Sequence, residues 1–138
     1  MYSKAEVSQT KHSFWIVFGR YMAPNTSSEG LKVNWINYKT GFKNLHFKME
    51  ADTKKASISI EITHPEVEVQ AMFYEYFLEL KQIFRQMIGE WKWEQQIHDE
   101  YGRTISRIST EIIPVNVMDK NDWPQIISFF KPRIIALD

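Results

Sequence analysis

The sequence predicts an α+β fold: a mixed, mainly antiparallel sheet with packed helices. Three observations carry that prediction. Two neighbouring segments, Phe42 to Ala51 and Ala56 to Thr63, alternate apolar and polar residues with strict period two, which suits half-buried strands and not helices. A long run after them repeats its apolar residues every three or four positions, the stripe of a helix that covers a sheet. The 138 residues, 43% of them hydrophobic, are enough for one compact core without disulfides or metal, so a single domain is expected over residues 1–138.

The elements follow in chain order. From Ser3 to Met22, Val7, Phe14, Ile16 or Trp15, Phe18 and Tyr21/Met22 fall at helical spacing, and Ala23-Pro24-Asn25 ends the run. A polar loop, Asn25 to Gly30, comes next. Val33 to Tyr38 is short and rich in β-formers, which predicts a first strand, turned around at Lys39-Thr40-Gly41. In the second strand Leu45, Phe47 and Met49 face one way and Asn44, His46, Lys48 and Glu50 the other. In the third, Ile58, Ile60 and Ile62 oppose Ser57, Ser59, Glu61 and Thr63. The polar turn Asp52-Thr53-Lys54-Lys55 joins these two into an antiparallel hairpin. With a two-residue loop at Thr53-Lys54, His46 would lie opposite Glu61 and Lys48 opposite Ser59; because a slip of one residue would bury Lys48 and Glu61, parity is better determined than register.

Pro65, Glu66 and Glu68 suit the start of a second helix and Gly89 its stop. Its expected stripe is Val69, Phe73, Phe77 with Tyr76, Leu80, Phe84 and Met87/Ile88, and such an aromatic stripe belongs to a core before it belongs to a cofactor. Trp91 to His98 alternates again. After the turn Asp99-Glu100-Tyr101-Gly102, Arg103 to Val117 is strand-like, with Ile105 and Ile108 out of phase, which implies a bulge or bend; Pro114 marks the end of pairing. Asp119 to Pro124 opens a last helix, which Pro132 should kink or divide. The expected order is α-β-β-β-α-β-β-α, and the long second helix allows a later strand to run parallel to an earlier one.

Composition narrows the chemistry. Cysteine is absent, which excludes disulfides, zinc–thiolate sites and cysteine nucleophiles and suits a reducing compartment, the cytoplasm by default. The N-terminus lacks the apolar core of a signal peptide, and no stretch approaches the about 18 apolar residues of a membrane span, so no membrane partner is expected. The formal net charge is zero, but residues 31–60 carry 6 basic against 2 acidic groups and residues 61–100 carry 3 against 9. The Lys-rich block could draw a polyanion, and acid–base complementarity of this kind could also pair one subunit with another.

Several passages resemble a known family: Trp35-Ile36-Asn37-Tyr38-Lys39-Thr40-Gly41, Lys54 to Ile58 with His64-Pro65, Asp99 to Ile108, and Asp122-Trp123-Pro124 with Lys131 to Leu137. From about Phe14 onward the chain resembles the bacterial domain-of-unknown-function family 4268. Its members occur as small stand-alone proteins and attached to larger, nuclease-like ones. The resemblance therefore implies an association with nucleic acid, but no mechanism and no catalytic residue.

Two sets of residues merit testing. The expected α-β-β-β-α-β order is also that of the PD-(D/E)xK nucleases, the restriction-endonuclease-like topology, in which two acids and a lysine hold Mg²⁺ or Mn²⁺ and steer a water. Glu50 or Asp52 would stand for the first acid, Glu61 for the second, and Lys48 would replace a lysine that the third strand lacks. The second set, Trp35, Tyr38, Lys39, Lys43, His46 and Lys48, interleaves rings with cations, as ligand binding or single-stranded nucleic acid would require. Against both stands the plainer view that the aromatics fill a core or an interface and that His46 and Glu61 form a surface pair. Gly-x-Ser-x-Gly and Gly-rich phosphate loops are absent. The leading expectation is a non-enzymatic interaction or accessory module without catalytic residues, metal or cofactor, which offers the polar hairpin face to a protein partner or a second copy. The alternative is a degraded metal-dependent nuclease-like or nucleic-acid-binding domain.

Overall fold

The computed structural model describes residues 2–25, 34, 35, 38, 40 and 42–137. In chain order the elements are α1 (Lys4–Met22), β1 (Leu45–Ala51), β2 (Ala56–Ile62), α2 (Val67–Glu79), α3 (Lys81–Ile88), β3 (Lys92–His98), β4 (Thr104–Ile112), a short 3₁₀ turn (Lys120–Asp122) and α4 (Trp123–Leu137). The fold is α+β, with one four-stranded sheet in the order β1-β2-β4-β3.

Among the described residues every pair of neighbouring strands runs antiparallel, the arrangement expected to dominate. The helical return after β2 does bring β3 back in the direction of β2. The β3–β4 hairpin then folds β4 between them, so the described strands include no parallel neighbours. The expected strand Val33 to Tyr38 falls mostly outside the described residues. Its described members, Asn34, Trp35 and Tyr38, are not in a strand, and the observed order is α-β-β-α-α-β-β-α. Trp35 instead buries its ring and donates its indole N–H to the Asn25 carbonyl at 3.1 Å, so its β-forming side chain serves loop packing.

Contacts cluster the chain into two compact units, one of residues 1–38, 49–57 and 111–138, the other of residues 39–48 and 58–110. The boundaries fall inside β1, β2 and β4, so each of these strands begins in one unit and ends in the other.

The first unit is built around rings. Ser3 caps α1 by accepting the Glu6 N–H at 3.1 Å. Phe14, Phe18 and Met22, each four residues apart, are fully buried, whereas Ile16 and Tyr21 are exposed; the inward stripe is narrower than the apolar content suggested. Against it α4 brings Ile126, Phe130 and Ile134, also fully buried. Pro132 neither divides nor ends α4. It deprives the Ser128 carbonyl of a helical donor, and one residue further on the Arg133 guanidinium folds back to give Nη1–H to the Phe129 carbonyl at 2.9 Å.

The turn of the β1–β2 hairpin belongs to this unit. The Asp52 N–H donates to the Lys55 carbonyl at 2.9 Å, which makes Thr53-Lys54 the two-residue loop that was expected. Asp52 Oδ1 accepts the N–H groups of Lys54 and Lys55, both at 2.9 Å. Beyond β4 the chain crosses this turn, with Val115 N–H donating to the Lys54 carbonyl and Val117 N–H to the Asp52 carbonyl, both at 3.0 Å. Ladder pairing does stop before Pro114, but the backbone bonds to the hairpin tip after it. Burial alone would raise the Asp52 pKa; the two N–H donors, with Lys11 and Lys55 nearby, outweigh it and hold the carboxyl below its ordinary value. The stability gained from a depressed acid is complete above the ordinary carboxylate range and is lost as pH falls through the depressed value. Asp52→Ala should therefore cost about 1 kcal/mol at neutral pH, and the gap to wild type should close in acid. Urea midpoints at the two pH values check this.

The second unit holds the rest of the sheet with α2 and α3. At the other end of the hairpin Thr63 N–H donates to the Asn44 carbonyl at 2.8 Å, a pair in the same register as Asp52 and Lys55, so His46 lies opposite Glu61 as expected. Ile58, Ile60 and Ile62 are fully buried. The single helix expected after Pro65 begins two residues later, at Val67, and breaks at Leu80, whose φ of −92° and ψ of 0° leave the α basin. Its buried stripe is Gln70, Tyr74 and Phe77, then Ile88; Val69, Phe73, Leu80 and Phe84 sit at its margin and Met87 and Tyr76 are exposed. Tyr74 meets Trp93 edge-on at 5.9 Å. The bulge implied by Ile105 and Ile108 lies in the partner strand: register shifts between Glu94 and Ile97, and Gln96 takes a φ of +53°. Both isoleucines are buried, on opposite sides of β4, because they stand three positions apart in a strand of period two.

Candidate functional site

The polar side of the sheet in the second unit carries a row of alternating charges. Period two in β1 turns His46 and Lys48 away from the isoleucine face, and in β2 it turns Ser59 and Glu61 the same way. Lys48 is opposite Ser59, and its long side chain reaches diagonally to Glu61, Nζ to Oε1 2.9 Å. From the other flank Arg107 of β4 places Nε and Nη2 each 3.1 Å from Glu61 Oε2. Glu94 of β3 is directly opposite Arg107 in register, and Lys92 Nζ lies 3.7 Å from its Oε2. Across four strands the order is Lys48, Glu61, Arg107, Glu94, Lys92.

Burial is uneven along this row. The Glu61 side chain is 10% exposed and that of Lys48 47%. A carboxylate so far from water is expensive unless paired, and here each oxygen has its own cation. Two cations share one acid at this end of the row, and Lys43 and His46 are exposed beside it in sequence, so the accessible charged groups of residues 43–48 are basic.

The ring-and-cation set divides between the two units. Trp35 is 3% exposed and Tyr38 stacks on it, 6.0 Å between centroids with planes 22° apart; both belong to the first unit, and the Trp35 ring has too little free surface to stack on a base. Lys39 lies outside the described residues. Lys43, His46 and Lys48 belong to the second unit.

The acids of the nuclease alternative serve separate purposes. Asp52 caps the hairpin turn, Glu50 is exposed in the first unit, and Glu61 is engaged by Lys48 and Arg107. Among the described residues no group of three or more His, Asp or Glu is placed to hold a metal ion. Among the histidines, His64 has a structural role, since its Nδ1 accepts the Glu66 N–H at 3.0 Å beside the start of α2.

Sequence reasoning missed Arg107, Glu94 and Lys92 as members of the row, because alternation fixes the face of a residue but not which strand lies beside it. Gln70 was missed as well. Fully buried, it bonds to His64, Thr104 and Ser106; a polar residue inside an apolar stripe was the available signal.

Among the described residues no helix is long and apolar enough to cross a membrane. No curated protein and no solved structure matches the chain. A family model described as Domain of unknown function (DUF4268) matches residues 10–138, which takes in α4, all four strands and most of α1, and on that match the chain belongs to the DUF4268 family.

Proposed function

We propose that this protein is a non-enzymatic interaction module, an accessory or homo-oligomeric component of the cytoplasm, whose hairpin face holds an acidic protein surface through Lys43, His46 and Lys48. One observation supports this reading over the nuclease alternative. Glu61, the acid that a metal would need, pairs its two oxygens with Lys48 and Arg107, and a carboxylate whose charge two cations already offset, with both cations beside the place a metal would take, attracts Mg²⁺ or Mn²⁺ weakly. The exposed end of the row is left basic, which favours encounter with an acidic partner.

The test has two arms. Incubated with mixed DNA and RNA in Mg²⁺ or Mn²⁺, the protein should leave both intact; cleavage that disappears in Glu61→Ala overturns the reading. An oligoglutamate peptide should bind with an affinity that falls as salt is raised, and Lys43→Glu, at an exposed position outside the regular strands, should weaken it about tenfold, or ~1.4 kcal/mol. Absence of binding, or binding indifferent to Lys43→Glu, sinks it equally. Tighter binding of single-stranded DNA than of the peptide would instead favour the nucleic-acid alternative.

A further inference from the structure

Where α3 runs into β3 the chain encloses a small recess with aromatic walls and a charged rim. Lys81, Phe84 and Arg85 stand at i, i+3 and i+4 on α3 and so share one side of that helix. Gly89, with a φ of +81° in the region that favours glycine, turns the chain toward β3 and brings Trp91 and Trp93 to the same side. Together with Glu90 these residues line a space of about 180 Å³, all of it within the second unit.

The rings are held from behind. Trp93 meets Tyr74 edge-on at 5.9 Å, Phe84 lies 6.3 Å from Phe77, and the Trp91 indole donates to the Ile88 carbonyl at 3.4 Å. The walls are therefore in place before a ligand arrives, and binding does not have to order them. The rim is unequal in charge, two cations against one acid. Glu90 Oε1 takes Arg85 Nε at 3.0 Å, but the two side chains are 62% and 74% exposed. A pair so open to water is worth little, and the guanidinium has further N–H groups to offer. The Lys81 ammonium lies 5.5 Å from the centre of the Trp93 ring, which sets a second cation beside the aromatic wall.

Size then limits the ligand. A cavity of about 150 Å³ accepts one benzene ring, whereas pockets for drug-sized molecules begin at about 300 Å³. We infer that this recess binds a monocyclic aromatic acid, its ring against Phe84, Trp91 and Trp93 and its carboxylate or phosphate between Lys81 and Arg85. A neutral ring would leave the two cations unused, and a bare inorganic anion would leave the aromatic walls in water. A ring and an acid group on one small molecule use both. A nucleotide, with base, sugar and phosphate, exceeds the space. The recess shares no residue with Lys43, His46 and Lys48, so this inference and the reading of the hairpin face can fail separately.

Phenyl phosphate titrated into the isotope-labelled full chain tests it by nuclear magnetic resonance. The indole N–H signals of Trp91 and Trp93 should move and reach half-saturation at about 1 mM or below, as suits so small a molecule. The signal of Trp123, whose indole is bonded to the Val117 carbonyl in the first unit, should stay. Lys81→Gln and Arg85→Gln, at exposed helical positions that glutamine suits, should each weaken binding about fivefold with circular dichroism unchanged. Arg20→Gln, the same change of charge at an exposed position of α1, should not alter it. Glu90→Gln frees Arg85 from its competing carboxylate and should tighten binding. Benzoate should displace phenyl phosphate, whereas benzyl alcohol and inorganic phosphate should each bind about tenfold more weakly or not at all. Unmoved Trp91 and Trp93 signals, benzyl alcohol binding as tightly as phenyl phosphate, binding indifferent to both glutamine variants of α3, or tighter binding of adenosine monophosphate overturns the inference.

Discussion

Phe130→Ala should destabilise the protein by about 3–5 kcal/mol, the range for removing a large aromatic side chain from a packed core. Phe130 is fully buried and is the ring on which the first unit converges. Trp15 stacks beside it at 5.6 Å and Phe18 meets it edge-on at 5.8 Å, with Phe14 at 6.4 Å and Phe129 at 5.5 Å. Alanine would forfeit the transfer of the ring out of water and also these ring contacts, and the neighbours cannot collapse into the space. Rings have few rotamers, and those of Phe14 and Phe18 are held on successive turns of α1. Ile16→Ala is the control: it lies in the same helix two residues from each of those rings, yet it is exposed, and its loss should stay below about 1 kcal/mol. Urea unfolding followed by tryptophan fluorescence and by circular dichroism reads both. Equal costs at the two positions would mean that the inward stripe of α1 has been misplaced.

That contrast shows where the sequence is legible. Phe14 and Ile16 are both apolar residues of one helix, and spacing alone admitted Ile16 or Trp15 to the stripe; only the ring cluster of α4, distant in sequence, selects between them. The hairpin was readable to its parity, because strict alternation excludes a slip of one residue, whereas the register followed only on taking Thr53-Lys54 as a two-residue loop. The break at Leu80 was not readable. Leucine is a good helix former, and the three-to-four repeat continues across it from Phe77 to Phe84, so local preference has no boundary to report. Trp35 shows the converse limit: composition marked it as a β-former and a candidate stacking ring, but a bond to the Asn25 carbonyl and the Tyr38 ring determine its place. The candidate site divides in the same way. Lys48 and Glu61 could be placed on one face from period two, while Arg107, 46 positions from Glu61 along the chain, joins them only because β4 comes to lie beside β2.

Gln70→Leu keeps the side chain's approximate volume and should nonetheless cost about 2–4 kcal/mol, since it strands the buried Ser106 hydroxyl and removes the donors of two half-buried carbonyls at about 1–3 kcal/mol each, partly offset by relaxation. The Gln70 Nε2 group donates to the His64 carbonyl at 2.9 Å and to the Thr104 carbonyl at 2.8 Å. Its Oε1 accepts the Ser106 hydroxyl at 2.9 Å, and Ser106 Oγ in turn accepts the Gln96 N–H at 3.1 Å. One amide on α2 thus holds the end of β2's exit, the start of β4 and, through Ser106, the bulge of β3, where Gln96 has the left-handed φ and Ser106 is the residue across from the extra one. A leucine satisfies none of these, and the Ser106 hydroxyl, fully buried, is left without its acceptor. Ser106→Ala should cost less, about 1–3 kcal/mol, and should lower hydrogen-exchange protection of the Gln96 amide, a readout that a simple packing defect would not single out. The two changes act on one network, so the double variant should lose less than the two losses combined, with a coupling of about 1–2 kcal/mol. Strict additivity, with Gln96 as protected as in wild type, would show that the bulge is held by the ladder alone and that the amide on α2 is dispensable to it.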